Sequence, residues 1–235
     1  MINLSKNLTL CFFLASAQAS LAGQAILFDN PGLALINEDG RLTGYYSAQG
    51  DKRSCSFLIL QTGDETKYPD DSPYTETKIL TFIPGDNSFS FENRDKAFDI
   101  GGSLYKRDET WFVRTDEGQA GCENALGSFT TFRKGKVGGG FFSEENRFFA
   151  LGIRIVKRKT FLHDLRDGEF AKRRGFLTKW NDVILIKVRG QFSFVRFVEP
   201  RTNIDAYGQA TTGWVRSADL VNPFPARTKS IAPAR

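Results

Sequence analysis

The stretch QFSFVRFVEPRTNIDAYGQATTGWVRSADLV, residues 191–221, decides how the chain is read. Phe and Val crowd residues 192–198, and such side chains favour a half-buried sheet surface. A polar loop follows. Then come Gly213-Trp214-Val215 and a short turn at Ser217-Ala218-Asp219-Leu220. A strand, a polar loop, a second strand and a short turn are how a small β-barrel ends.

Upstream, residues 153–161, IRIVKRKTF, alternate in part as a strand does, with Arg154 between Ile153 and Ile155. Residues 162–166 run into a turn at Asp167-Gly168. Phe176-Leu177 and Trp180-Asn181-Asp182-Val183 lead to an apolar strand at 184–188, and Gly190 turns the chain back into residues 192–198. Taken in this order, residues 151–222 resemble bacterial Src-homology-3-like domains. The shared features are a first strand, a long loop, a turn carrying Asp, an apolar strand, a tight Gly turn, an aromatic strand, a polar loop, Gly-Trp-Val and Ser-x-Asp-Leu. The resemblance implies a small barrel in which Gly213 permits a tight turn and Trp214 covers one mouth. Core packing is the plainer role of Trp214. The functional role is a groove wall, built with Phe194 and Tyr207, for an extended peptide or a cell-wall stem peptide. Two departures bear on that groove. Phe192 and Phe194 stand where the family carries an early Trp, and the first loop, 160–175, is long and basic, with Arg166, Lys172, Arg173 and Arg174. Arg173 and Arg174 are the expected contacts to an acidic partner.

Composition supports a sheet protein: 22 Phe and 22 Gly accompany a single Met among 235 residues. The net charge of +5 is unevenly spread. Residues 151–235 carry 17 Lys+Arg against 7 Asp+Glu, a net of +10, whereas residues 23–150 carry 14 against 20, a net of −6. Opposite signs in the two parts indicate two units. Lys6 followed by LTLCFFLASA and by Ala17-Gln18-Ala19 and Ser20-Leu21-Ala22 reads as a signal peptide over 1–22. The apolar run is too short to span a bilayer as a helix. Cys11 lies inside it and away from the cleavage point, which argues against lipidation. A bacterial periplasmic or secreted protein with no membrane span is expected.

Export gives the cysteines a meaning. Cys55 and Cys122 remain after cleavage, and two thiols in an oxidising compartment are expected to pair. Closing so long a loop stabilises a fold by about 4 kcal/mol in the chain-entropy picture. The alternative, a nucleophilic Cys served by His163, would leave one thiol unpaired.

Residues 23–140 read as strand, turn, strand. Residues 26–36 and 41–48 form a hairpin about Glu38-Asp39-Gly40, where Asp-Gly favours a tight turn. Residues 54–62, SCSFLILQT, place Cys55, Phe57 and Ile59 on one face. Residues 62–77, with Pro69 and Pro73, read as an acidic surface loop whose spacing fits no calcium loop. Strand signals return at 78–83, around Phe89 and Phe91, after a break at Gly101-Gly102, and at 110–114. The expected fold is therefore all-β. An antiparallel barrel or sandwich closed by one disulfide is followed by a flexible joint at 134–140, KGKVGGG, then the small barrel over 151–222 and a fraying tail over 223–235.

One His and two bridged Cys leave no zinc set, and no phosphate-loop, dinucleotide or nucleophile-elbow pattern occurs. No catalytic residue, metal or cofactor is assigned. The expected function is binding: an exported envelope protein docking a protein, a peptide or peptidoglycan, with inhibition of, or immunity to, a secreted hydrolase as one form. Export removes it from nucleic acid. The competing reading is a cell-wall hydrolase using carboxylates of residues 23–140.

Overall fold

Two successive runs of antiparallel strand build the protein, seen in a computed structural model that describes residues 23–68, 72–119, 122, 129–130 and 140–226. The expected signal segment, all of 134–140 except Gly140, and the tail beyond 226 lie outside the described residues.

The first run is β1 (Gly23–Phe28), β2 (Leu33–Glu38), β3 (Arg41–Gln49), β4 (Ser54–Lys67), β5 (Thr75–Phe82), β6 (Ile100–Arg107), β7 (Thr110–Thr115) and β8 (Phe141–Ala150). Each strand pairs antiparallel with the next, and β8 returns to β1 with Ala25 opposite Phe148, closing an eight-stranded barrel. Its interior holds Ile26, Leu35, Tyr46, Phe57, Ile59, Leu104 and Val113. The expected disulfide is present between Cys55 and Cys122. Both half-cystines are buried in this core.

The second run is β9 (Gly152–Val156), β10 (Thr160–Arg166), β11 (Glu169–Leu177), β12 (Asp182–Arg189), β13 (Phe192–Val198), β14 (Ala210–Arg216) and β15 (Leu220–Val221). They form one curved sheet in the order β11-β10-β14-β13-β12-β9-β15. A single 3₁₀ turn, Ser217–Asp219, lies between β14 and β15. The all-β expectation holds for both runs.

Several local expectations are corrected. Residues 26–36 are two strands, because Pro31 lacks an N–H and Asn30 Oδ1 accepts the Gly32 N–H at 2.9 Å to make a turn. Much of the acidic stretch 62–77 is strand: β4 runs to Lys67, and a bulge between Gln61 and Glu65 restores its pairing with β5. Asp70 and Asp71 lie outside the described residues. Gly101 and Gly102 do not break the chain; they sit inside β6. A Cβ on Gly102 would lie 2.2 Å from the Arg114 carbonyl oxygen, so the close approach of β7 requires glycine there. Phe89 belongs to no strand. Its backbone has φ 56°, and its ring packs on Trp180 at 4.5 Å. The first loop of the second unit, 160–175, is a β10–β11 hairpin turning on Asp167 (φ 49°) and Gly168 (φ 87°).

The two runs share a core. Ala34, Ile36, Tyr45, Leu58, Leu60 and Phe82 cover the outside of the barrel, and Ile153, Ile155 and Ile184 of the second sheet pack on them. This explains the unbroken apolar runs Leu33-Ala34-Leu35-Ile36 and Phe57-Leu58-Ile59-Leu60: both faces of β2 and β4 are buried. Phe224, in the stretch assigned to the tail, packs edge-on against Phe82 at 5.9 Å. The loop after β13 also reaches back. The Gln49 N–H donates to the Pro200 carbonyl, and the Thr202 N–H donates to the Gln49 carbonyl, both at 2.8 Å.

Candidate functional site

Alternation along the second sheet sorts its side chains. Leu162, Val195 and Val215 point into its own core with Val183 and Leu185, so the neighbours Phe161, His163, Phe194, Trp214 and Arg216 take the other face. One half of that face, carrying Ile184 and Ile186, is covered by the barrel. The other half is not.

Register builds a row across the uncovered half. Lys187 pairs with Phe194, Phe194 with Trp214, Trp214 with His163, and His163 with Lys172, on five neighbouring strands. Cations therefore stand at both ends of an aromatic row. The Lys187 ammonium lies 5.0 Å from the Phe194 ring centroid and 5.4 Å from that of Trp214. Phe170 stacks on Phe192, with centroids 3.9 Å apart, and meets Trp214 at 5.3 Å. Phe194 also meets Trp214 at 5.3 Å. Trp214 is only 6% exposed, so it is the floor of the row, and half-buried Phe170, Phe192 and Phe194 present its accessible edges. His163 Nδ1 lies 3.3 Å from the Trp214 carbonyl oxygen, a hydrogen bond when that nitrogen carries the proton.

Of the expected site residues, Phe194 and Trp214 are brought together. Tyr207 is not beside them. It sits in the loop after β13, its hydroxyl 3.5 Å from Asn30 Oδ1, lining a cavity of about 310 Å³ between barrel and second sheet with Pro31 and Arg196. Burial raises its pKa. Arg173 serves the sheet: its Nη1 donates to the Thr212 carbonyl at 2.8 Å and lies 3.5 Å from Asp164 Oδ1. That link holds β11 to β14 where β10 and β14 are in register only at His163 and Trp214. Arg174 is exposed and makes no hydrogen bond or ion pair among the described residues. Phe170, Lys187 and Arg216 were not singled out in the sequence. The signal that finds them is register, since each lies opposite or diagonal to an aromatic residue of the row.

The disulfide removes both thiols from nucleophilic use, and His163 lies on the other sheet. Glu76 is a barrel carboxylate held in a hydrogen-bond network. Burial works against its charge, but hydrogen bonds from Lys78 Nζ and Ser103 Oγ, both 2.7 Å, outweigh it and hold its pKa below the ordinary range. Asp182 is the opposite case. It stands in a cavity of about 260 Å³ at the junction, with Ser54, Ser56 and Trp180, and burial pushes its pKa up to about 7. Its side chain makes no hydrogen bond or ion pair among the described residues. Among those residues no group of three His, Cys, Asp or Glu is placed to hold a metal, and no helix is long and apolar enough to cross a membrane. No protein-family model matches the chain, and comparison with curated proteins and with solved structures gave no match.

Proposed function

We propose that the protein is an exported bacterial envelope protein whose second unit is a Src-homology-3-like barrel that docks an extended peptide along its uncovered face. The observation that carries this reading is the row Lys187-Phe194-Trp214-His163-Lys172, a buried Trp between half-buried Phe194 and His163, in register with a cation at each end. Aromatic grooves suit extended peptides because flat rings supply contact area at little entropic cost. The lysines favour a peptide with acidic groups, as on a wall stem peptide or an exposed segment of a partner protein. The order of elements supports the resemblance: β9, a long hairpin, Asp182 before an apolar strand, a tight turn at Gly190 with φ 57°, the aromatic β13, a polar loop, β14 and a 3₁₀ turn at Ser217–Asp219. Blocking a secreted hydrolase, as an inhibitor or immunity protein, is one form such docking takes.

The test uses isolated sacculi and a soluble stem peptide. Phe194→Ala and Phe170→Ala are expected to weaken capture by roughly tenfold each, the usual cost of truncating an aromatic anchor, while thermal unfolding stays near that of the parent. Equal capture by parent and both variants overturns the reading. So does release of soluble wall fragments that stops when one barrel carboxylate is changed, which would make the protein a hydrolase.

A further inference from the structure

A second feature of the same face lies beyond the aromatic row. Between the link after β9, the start of β10, the middle of β11 and the end of β14, an open cavity of about 440 Å³ is lined by Arg158, Lys159, Phe161, His163, Lys172 and Arg216. Four Lys or Arg side chains converge there, and the only carboxylate in the wall is Asp219. Asp219 is already engaged: its buried side chain accepts from Arg158 Nε at 2.5 Å. Lys159 stands 4.0 Å over the Phe176 ring and Lys172 3.5 Å over the Phe161 ring. Those ring faces position the ammonium groups without neutralising them. Arg216 has no ion pair among the described residues.

We infer that this cavity binds a phosphate group carried on an organic moiety. Uncompensated cations held close together repel one another, and an anion seated among them relieves that cost. Phosphate fits better than a carboxylate. Its oxygens accept from several donors arriving from different directions, and here Arg and Lys arrive from three separate stretches of chain. The cavity is also far larger than one ion. Phe161 in the cavity wall, and Phe176 beside it at 6.1 Å and 47% exposed, offer apolar surface for whatever carries the phosphate. Such a group is found on a soluble phosphate ester or phosphodiester polymer and on an anionic lipid headgroup. The inference does not rest on peptide docking: Phe194, Phe170 and Lys187 take no part in the cavity, and only His163 and Lys172, at one end of the row, belong to both.

The experiment titrates the full chain with inorganic phosphate at constant ionic strength, chloride being the balancing anion, and follows backbone amide shifts. A parallel arm measures co-sedimentation with phosphatidylglycerol vesicles, with and without phosphate, against phosphatidylcholine alone. Saturable shifts centred on Thr160, His163, Lys172 and Arg216 are expected in millimolar phosphate. The double variant Lys172→Gln/Arg216→Gln should weaken them about tenfold or more, since charged hydrogen bonds are removed. The pair Arg174→Gln/Lys187→Gln, which removes as much charge outside the cavity, should leave them unchanged. Vesicle binding that phosphate displaces assigns the site to a lipid headgroup; phosphate binding without vesicle binding assigns it to a soluble or polymeric phosphate. Shifts no larger than those from chloride, or equal losses in the two double variants, overturn the inference. Loss of peptide capture in Phe194→Ala with phosphate binding intact, or the converse, separates this site from the docking row.

Discussion

Cys55→Ala/Cys122→Ala is expected to unfold about 8–16 °C below the parent. The bridge spans 67 residues, and tethering a loop of that length removes chain entropy worth about 4 kcal/mol from the unfolded state. For a chain of this size each kcal/mol moves the midpoint by about 2–4 °C. The loss should fall first on barrel closure. β7 and β8 pair through only three residue positions, 110–112 against 141–143, and Cys122 lies in the connection between them. Hydrogen exchange in the variant should therefore quicken in β7 and β8 before β12 and β13. Thermal scans of the oxidised, reduced and doubly substituted protein check this. A reduced form melting within about 3 °C of the oxidised one, less than 2 kcal/mol on that scale, would mean the bridge does not restrain the barrel.

The sheet class was legible because its signals are local. Period-two alternation, Asp39-Gly40 and Asp167-Gly168 need only neighbouring residues to be read, and both turns adopt the positive φ their residues favour. The pairing of Cys55 with Cys122 was legible from their number and from the compartment that residues 1–22 lead one to expect. What escaped was set at a distance. Phe89 alternates with serines as a strand residue would, yet it plugs the junction against Trp180, ninety-one positions later in the chain. The runs Leu33-Ala34-Leu35-Ile36 and Phe57-Leu58-Ile59-Leu60 carried the sign of burial on both faces. What covered the second face, Ile153 and Ile184 of the other sheet, could not be read from either run.

The candidate site divided along the same line. Phe194 and Trp214 were legible because adjacent antiparallel strands joined by one loop place their aromatic residues in register. Tyr207 belongs to that loop, and proximity in sequence argued for proximity in space. The loop instead folds toward the barrel, where the Gln49 backbone ties down Pro200 and Thr202. Phe170 arrives beside Phe192 by the reverse route. The Asp167-Gly168 turn folds β11 back so that Phe170 lies opposite Leu165, diagonal to His163, on the face of the aromatic row. Residues 160–175 read as a loop offer Phe170 no partner, so its place beside Phe192 is visible only once β10, β14 and β13 are paired.

Asp182→Asn is expected to stabilise the protein at pH 8 and to leave it nearly unchanged at pH 4. The carboxyl begins β12 at the junction, opposite Ile155 and beside Trp180, and burial pushes its pKa up to about 7. An unfolded Asp ionises near 3.9. Below about pH 4 the group is protonated folded and unfolded, and it contributes no pH dependence. Between about pH 4 and pH 7 the unfolded chain releases the proton while the folded chain keeps it, so stability falls as pH rises. Above pH 7 both states are ionised and the cost is constant. A shift of this size corresponds to about 4 kcal/mol, and solvent reaching the cavity reduces it to roughly 2 kcal/mol. Removing the charge should therefore raise the melting midpoint at pH 8 by about 4–8 °C. Hydrogen exchange of the Trp180 amide, which donates to the Val156 carbonyl, reports the junction and circular dichroism the sheets as a whole, so the two probes show whether the junction loosens first as pH rises. A gain equal at pH 4 and pH 8 would mean the substitution acts through packing and not through ionisation. No gain at pH 8 would mean the charged carboxylate is accommodated at the junction, by water or by movement of Trp180.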